Sequence, residues 1–423
     1  MSDRLRIAVY YNVGWGGGRR WLYECVSRLA KLHDVDLYSI DRNSIGVQHP
    51  DVNELGQHAE IVTFSDLPRF PGVLRPLNVP LVWIDLWRFA QASRVVADRI
   101  DARKYDVLFA SIGGYTEAPM VLRHTKTLSA YYCHEPMRNV YEPKVRRPYN
   151  SNSLTTLPRR LWNRAYWGGL IRRWDRQGTR GASLVIANSK YTADYANRAY
   201  AVSPEVNYPG VDVEAFRPAE RPRERFVLMV GELVSSKGVD WAVRAIATIP
   251  AGHRPPIVLV CNRVYAPERH YVETIAKDCG VELIIRERVP DAEVKRLFQT
   301  ASAMLYTPHL EPFGLVALEA MASGTPVVAV REAGPIETVV DGETGFLCER
   351  DPQQLGDAVL RLMDDELLRA RMSKAGREHV MAHWTWERSV ERLDGLLRAL
   401  VERHRADPGM SAKEGIGGIA AGG

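Results

Sequence analysis

Short apolar runs rich in β-branched and aromatic residues recur along this chain, each followed by a longer stretch whose apolar residues fall at helical spacing. The first half reads RIAVYY (6–11), a helical pattern from about Arg19 to Leu32, VDLYSI (35–40), DVLFAS (106–111), LSAYYC (128–133) and SLVIANS (183–189). The second half repeats the scheme with RFVLMVG (225–231), IVLVCN (257–262), VELIIRE (281–287), AMLYTP (303–308), TPVVAV (325–330) and TGFLCE (344–349). Strands alternating with helices predict parallel sheets, and two such series predict an α/β protein with two doubly wound, Rossmann-like domains. Between them, residues 206–225 (VNYPGVDVEAFRPAERPRER) are rich in proline and charge and poor in periodic apolar residues, which predicts an interdomain linker. The expected domains are 1–205 and 226–385. They are expected to face each other across a cleft lined by strand-end loops, because open parallel sheets bind ligands beyond the carboxyl ends of their strands.

Length agrees with this division, since 423 residues are too many for one core and suit two domains of about 200 residues. An apolar fraction of 46% and a charged fraction of 25% are those of a soluble globular protein. No apolar run approaches the roughly 18 residues of a membrane span, and MSDRLRIAVYY enters a strand at once without a secretory pattern, so a cytoplasmic protein is expected. The five cysteines, Cys25, Cys133, Cys261, Cys279 and Cys348, are odd in number, scattered and without metal-ligand spacing; reduced thiols, no disulfide and no zinc are expected. The last helical pattern, WTWERSVERLDGLLRALVERH (384–404), places Val390, Leu393, Leu396, Leu397 and Leu400 on one stripe. The glycine-rich tail that follows (406–423) has no period and is expected to be disordered.

The richest chemistry lies in HLEPFGLVALEAMASGTPVVAVREAGPIETVVDGETGFLCER (309–350). A strand ends in a loop carrying Glu311; Pro312, Phe313 and Gly314 follow, and Gly314 lets the chain turn into a helix whose first free N–H groups are those of Leu315 and Val316. Such a helix start attracts phosphate. Glu319, two turns on, falls near the face of Glu311, and two carboxylates suit the vicinal hydroxyls of a sugar and a ribose. GPIETV (334–339) offers a second helix start. Lys237, in GELVSSKG (231–238), follows the first strand of the second domain, either as a solvated lysine at a helix start or as an ammonium for a diphosphate. His134 ends the strand LSAYYC and puts an imidazole at a strand-end loop. NVGWGGGRR (12–20) permits close backbone approach, but its glycines miss the dinucleotide fingerprint, and the second strand ends without an acidic residue because Asp41 is expected only after the turn.

Taken together, the paired glutamates, the glycine loop, His134-Glu135-Pro136, NSKYT (188–192), GELVSSKG and the Trp-Thr-Trp-Glu opening of the last helix resemble the retaining glycosyltransferases of family 4, which have the GT-B fold. The resemblance implies that the helix 386–405 crosses back to the first domain. It implies a nucleotide-sugar donor, GDP- or UDP-linked, with no metal and no other cofactor. Among the residues, it implies that Gly16 and Gly17 lie under the donor phosphates or the acceptor, that His134 contacts the transferred sugar, and that Gly231 and Lys237 approach the diphosphate. Glu311, Pro312, Phe313, Gly314, Leu315, Val316 and Glu319 would hold the donor, and the backbone at Val289 would meet the base. His134, Glu311 and Lys237 are the expected catalytic set. One departure stands out, because Glu232 occupies the place where the family usually has arginine. Either Arg263 or Arg331 supplies the second positive charge, or diphosphate binding is weaker.

YYCHEP, NSKYTAD and NYPGVDVEAF are most similar to mannosyltransferases, including those acting on lipid-linked oligosaccharides, which implies GDP-mannose and a glycan, lipid-linked or small-molecule acceptor. A UDP-sugar transferase of exopolysaccharide or natural-product assembly, a nucleotide-sugar-binding scaffold subunit and an epimerase or hydrolase of the same fold are the rival readings. Finally, residues 143–181 carry nine arginines, one lysine and one acidic residue, with Trp162, Tyr166, Trp167 and Trp174 interleaved. That stretch is either a helix packed on its sheet or a peripheral membrane contact; the overall charge of +5 is too modest for a nucleic-acid binder.

Overall fold

The computed structural model of the chain describes residues 4–12, 17–42, 52, 54–72, 78–142, 145–150 and 164–407. These form two compact units, the first from described residues within Met1–Pro143, Leu154–Asn207 and Val390–Gly423, the second from those within Lys144–Ser153 and Tyr208–Ser389.

The first unit holds a seven-stranded parallel sheet of β1 (Arg6–Tyr11), β2 (Asp34–Arg42), β3 (His58–Phe64), β4 (Val107–Ala110), β5 (Ser129–Cys133), β6 (Leu184–Ala187) and β7 (Glu205–Val206). Their order is β3-β2-β1-β4-β5-β6-β7. Interior strands such as VLFA and SAYYC are buried at every position, as a parallel sheet covered on both faces requires. The outer strand β3 instead alternates half-buried and exposed positions. One expectation is corrected here. Parallel pairing with β3 continues from Asp36–His58 to Arg42–Phe64, which keeps β2 extended through Arg42, so Asp41 lies inside the strand rather than after its turn, and is buried.

In the second unit a six-stranded parallel sheet runs β10-β9-β8-β11-β12-β13. The strands are β8 (Glu224–Val230), β9 (Ile257–Cys261), β10 (Leu283–Glu287), β11 (Ala301–Tyr306), β12 (Val327–Val330) and β13 (Gly345–Cys348). The two-residue period of a strand divides their apolar residues between two cores. Val227, Met229, Leu259, Leu305 and Val328 face the helices Val239–Thr248 and Pro352–Asp364, whereas Leu228, Val258, Met304, Val327 and Ala329 face Phe313, Trp384 and the helix Leu315–Ala322. Each fully buried side chain of this size contributes about 1.5–3 kcal/mol, so a one-residue slip of any strand would exchange the two faces at large cost.

Residues 145–150 belong to the second unit although the chain on both sides of Lys144–Ser153 belongs to the first. Arg147, only 7% exposed, explains it: its guanidinium is held by Asp240 and Glu268 of the second unit. Within 206–225, Val211 and Phe216 sit in the core of the second unit, Val211 N–H bonds the Trp384 carbonyl at 2.8 Å, and Arg377 donates to the carbonyls of Val213 and Phe216. The helix Trp386–Ala406 joins the first unit from Val390 onward, where Leu393 and Leu397 are fully buried and Asp394 meets His33 Nε2 at 2.7 Å. The tail expected to be disordered lies, from residue 408, outside the described residues. Among the described residues no helix is long and apolar enough to cross a membrane.

Candidate functional site

In each sheet the strand order reverses once, between β1 and β4 in the first unit and between β8 and β11 in the second. Loops leaving the carboxyl ends of such strand pairs splay apart and leave room for a ligand. Gly231, Glu232, Lys237 and Glu311 fall on those loops, whereas His134, Arg263, Val289 and Arg331 follow other strands of the two sheets.

In the second unit, β8 ends at Val230, and Gly231 leads through Glu232 to a single turn, Ser235–Lys237, before the helix Val239–Thr248. β11 ends at Tyr306 and leads through Thr307–Gly314 to the helix Leu315–Ala322. The two loops are stitched together by their backbones. Gly238, with φ of 66°, sits so close to Thr307 that a Cβ there would lie 2.0 Å from the Thr307 carbonyl oxygen, and only glycine fits. Thr307 Oγ1 donates to the Gly238 carbonyl at 2.8 Å, and His309 N–H donates to the Ser236 carbonyl at 2.7 Å. Lys237 is thereby aimed at Glu311, its Nζ donating to Oε2 at 2.7 Å, while its stem runs 3.9 Å from where a Cβ on Gly231 would be. Both side chains stay partly open, 30% and 19% exposed, so the ammonium has surface left for an anion.

Beyond Glu311, Pro312 and Phe313 are buried, Phe313 packing on Tyr208 and Trp384 at ring-centroid distances of 6.0 and 5.6 Å. Gly314, with φ of 93°, turns the chain against the Tyr306 ring and starts the helix of Leu315 and Val316. Glu319 is buried on that helix at 5% exposure, whereas Glu311 is half-buried in the loop before it. Val289 is half-buried between Arg288, with φ of 52°, and the helix Asp291–Thr300. Glu232 is exposed and lies 3.9 Å from Arg263, itself 76% exposed. Such a pair contributes little to stability. Arg331 is engaged by Asp341 and Glu349. The Pro335–Thr338 turn of GPIETV is a single short helix, tied to Tyr208 by Glu337 at 2.7 Å.

Sequence reasoning missed the clamp beneath this loop. Arg350 donates to the carbonyls of Thr307 at 3.1 Å and Pro308 at 2.6 Å, and grips Glu332 with two 2.7 Å bonds. Burial pushes the Glu332 carboxyl up, but the Arg350 bonds more than offset it and hold the group below its ordinary value. Arg350 closes the sequence of the chemistry-rich segment, yet nothing in its spacing says that it reaches back to Thr307.

In the first unit, Asn12 follows β1 and its N–H bonds the Ile112 carbonyl at 3.1 Å; Gly16 lies outside the described residues, and Gly17 opens the helix Gly17–Leu32. His134 follows β5, half-buried, with Nε2 3.2 Å from Ser111 Oγ at the end of β4. Trp21 from the helix meets the imidazole edge-on at 4.5 Å and Tyr132 lies at 5.0 Å. This apolar wall desolvates the ring and pushes its pKa down to about 4, so His134 is neutral at physiological pH and offers a ligand a hydrogen bond rather than a charge. Nearby, Glu117 was not singled out from sequence. Burial, and then the carboxylates of Glu135 and Asp175, push it up to about 8 against the pull of Arg138, which leaves it largely protonated at neutral pH. Asp175 accepts from Ala118 N–H at 3.0 Å and from Tyr200 at 2.5 Å.

The second unit thus presents an open ammonium beside a carboxylate and a glycine-started helix. The first presents a neutral imidazole among aromatic rings. No group of three His, Cys, Asp or Glu positioned to hold a metal occurs among the described residues.

Comparison with known proteins finds a family match for each half of the chain. Residues 15–215 match the family described as Glycosyltransferase Family 4, and residues 212–379 match Glycosyl transferases group 1. Among curated relatives, a D-inositol 3-phosphate glycosyltransferase of Corynebacterium diphtheriae is 32% identical over 246 residues, 52% of this chain and 57% of the relative. The alpha-1,3/1,6-mannosyltransferase alg-2 of Neurospora crassa is 26% identical over 330 residues, 66% of each chain. The matched stretch therefore spans little more than half the length of the first of these relatives. Among solved structures, a sucrose-phosphate synthase of Thermosynechococcus elongatus superposes with a TM-score of 0.70 over 95% of this chain and 100% of its own, at 19% identity, which establishes a shared fold.

Proposed function

Because this chain belongs to the family 4 glycosyltransferases and has their GT-B fold, we propose that it is a retaining hexosyltransferase acting on a nucleotide sugar. The observation that carries this reading is the Lys237–Glu311 pair, 2.7 Å apart on two loops that are bonded to each other at the strand-order reversal of the second unit. Cleaving the bond between an anomeric carbon and a diphosphate leaves negative charge on phosphate and positive charge on the sugar ring. Fixed positive groups at the leaving oxygen lower that barrier. Lys237 and the helix start after Gly314 take this role, the partly open Glu311 binds sugar hydroxyls, and Glu319 those of the ribose. Gly231, Val289, Leu315 and Val316 contribute backbone contacts. His134, held neutral, donates or accepts a hydrogen bond at the transferred sugar. The diphosphate is already a good leaving group and needs no carboxylic acid of the kind glycosidases use. Attack then comes from the face the leaving group departs, with a phosphate oxygen taking the acceptor proton; a product of inverted anomeric configuration would sink this step.

The donor in this reading is GDP-mannose, supported by the breadth of similarity to the alpha-1,3/1,6-mannosyltransferase, and the acceptor a glycan or lipid-linked hydroxyl. A second reading takes its support from the higher identity to D-inositol 3-phosphate glycosyltransferase and places a phosphorylated cyclitol at the acceptor side. A cytoplasmic protein with peripheral membrane contact through the basic segment completes the proposal; Arg172 and Arg173 are exposed there, and loss of salt-sensitive co-sedimentation with anionic vesicles would remove that part.

The decisive experiment is thermal shift and nucleotide release with a panel of GDP- and UDP-sugars, run beside Glu311→Ala and Lys237→Ala. A donor-specific shift with slow release, lost in both variants, supports the transferase and names its donor. No response to any nucleotide sugar favours a scaffold subunit, with exposed Glu232 as its cause.

A further inference from the structure

Arg147 comes from a segment more than eighty residues ahead of the loop it serves, yet it fills a buried socket in the second unit. Its side chain is 5% exposed, and those of Asp240 and Glu268 are 6% and 0% exposed. Nε donates to both oxygens of Glu268 at 3.2 and 3.0 Å, and Nη1 donates to Asp240 Oδ2 at 3.1 Å. Nη2 reaches Asp240 Oδ1 at 2.7 Å, Glu268 Oε1 at 3.1 Å and the Ser235 carbonyl at 3.0 Å. Tyr149 donates a further hydrogen bond to Glu268, and the guanidinium lies over the Tyr271 ring at 5.2 Å.

Two of these acceptors bracket Lys237. Ser235 opens the turn that carries it, and Asp240 stands in the first turn of the helix that follows. One planar, rigid cation therefore holds the Ser235 carbonyl on one side of the lysine and the Asp240 carboxylate on the other, in a geometry an ammonium cannot reproduce because it lacks the fork. An ion cluster that only joined two helices would have no need of the Ser235 carbonyl.

We propose that Arg147 is a positioning residue for Lys237, fixing the Ser235–Lys237 turn so that the lysine Nζ stands where the donor diphosphate must lie. This rests on the reading of Lys237 as the diphosphate cation. A misplacement of about 1 Å at such a group is enough to cost up to about 100-fold in turnover.

The test compares affinities for nucleoside diphosphate and monophosphate, GDP with GMP and UDP with UMP, by calorimetry on the full chain. A general loss of structure lowers both affinities together; a displaced Lys237 lowers only the diphosphate's advantage. Arg147→Lys, which keeps a cation between the carboxylates, is expected to retain its melting temperature within a few degrees while the diphosphate advantage falls about tenfold, as for a lost charge-assisted contact. Combined with Lys237→Met, it is expected to add no further loss, since coupled residues are not additive. Should Arg147→Lys fail to fold, Arg147→Met with Glu268→Gln removes the cation together with one buried charge and is read in the same way. A folded Arg147 variant with the wild-type ratio, or losses that add fully in the double variant, overturns the proposal. If Lys237→Met itself keeps the ratio, or the wild type binds neither nucleotide pair, the proposed function falls and this inference with it.

Discussion

Gly238 and Thr307 lie directly against each other: the Thr307 hydroxyl donates to the Gly238 carbonyl at 2.8 Å, and a Cβ on Gly238 would stand 2.0 Å from the Thr307 carbonyl oxygen. The contact makes one rigid body of the loops bearing Lys237 and Glu311. Gly238→Ala must therefore meet both a left-handed backbone and a backbone clash. A loss of about 2–5 kcal/mol in denaturant unfolding is expected, together with weaker nucleotide-sugar binding.

Arg350 holds the other side of the same loop. Arg350→Ala leaves the carbonyls of Thr307 and Pro308 and the half-buried Glu332 without their shared donor. Stability is expected to drop by about 2 kcal/mol. Glu332 has a depressed folded pKa, so its contribution is present above the ordinary value of 4.5 and fades as pH falls below it. In Arg350→Ala that part of the acid sensitivity should vanish, which urea titrations at several pH values would reveal.

His134 and Glu117 give the first unit opposite pH responses. The histidine pKa falls on folding from 6.5 to about 4, so stability is full above 6.5 and declines as pH drops towards 4. His134→Gln should flatten this acid limb, while turnover falls far more than stability near neutrality. Glu117 rises from 4.5 to about 8, so its contribution is full below 4.5 and is lost as pH climbs through about 8. Glu117→Gln should therefore be more stable than the wild type at alkaline pH. Unfolding midpoints that track the wild type at every pH in both variants would refute these assignments.

Thiol chemistry offers an independent check on the cores. Burial pushes the thiols of Cys25 and Cys133 well up, and those of Cys261 and Cys348 up to about 11; Cys279 alone of the five is not buried. With the native protein, a neutral-pH thiol reagent is expected to modify Cys279 first and the rest slowly. Denaturation should expose five reactive groups, and fewer would reveal a bond between cysteines.

The sheets were legible in the sequence because each buried strand is a continuous apolar run, as in LSAYYC and IVLVCN, bounded by helical periodicity. The candidate site was legible where one local segment carries it: the loop with Glu311, Gly314 and Glu319, and the GELVSSKG turn with Lys237. What escaped notice depends on long-range pairing. Arg147, Arg350 and Glu117 look like ordinary surface charges in one dimension, and only their partners, Glu268, Thr307 and Asp175, give them meaning. The end of β2 was misplaced for the same reason, since Asp41 is polar and only its pairing with Thr63 keeps it in the strand.

The histidine at position 33 waits for its partner until almost the whole chain has been made, because Asp394 lies 361 residues later. Arg405, later still, bonds Asp106 at 2.8 Å, while Arg147, synthesised early, has its counter-charges at Asp240 and Glu268. The first unit cannot finish until the last part of the chain has been made, whereas the second takes in a segment made long before its own strands. A cut near residue 207 would therefore deprive the first unit of the helix that carries Asp394 and part Arg147 from Asp240 and Glu268, leaving those two buried carboxylates without their cation.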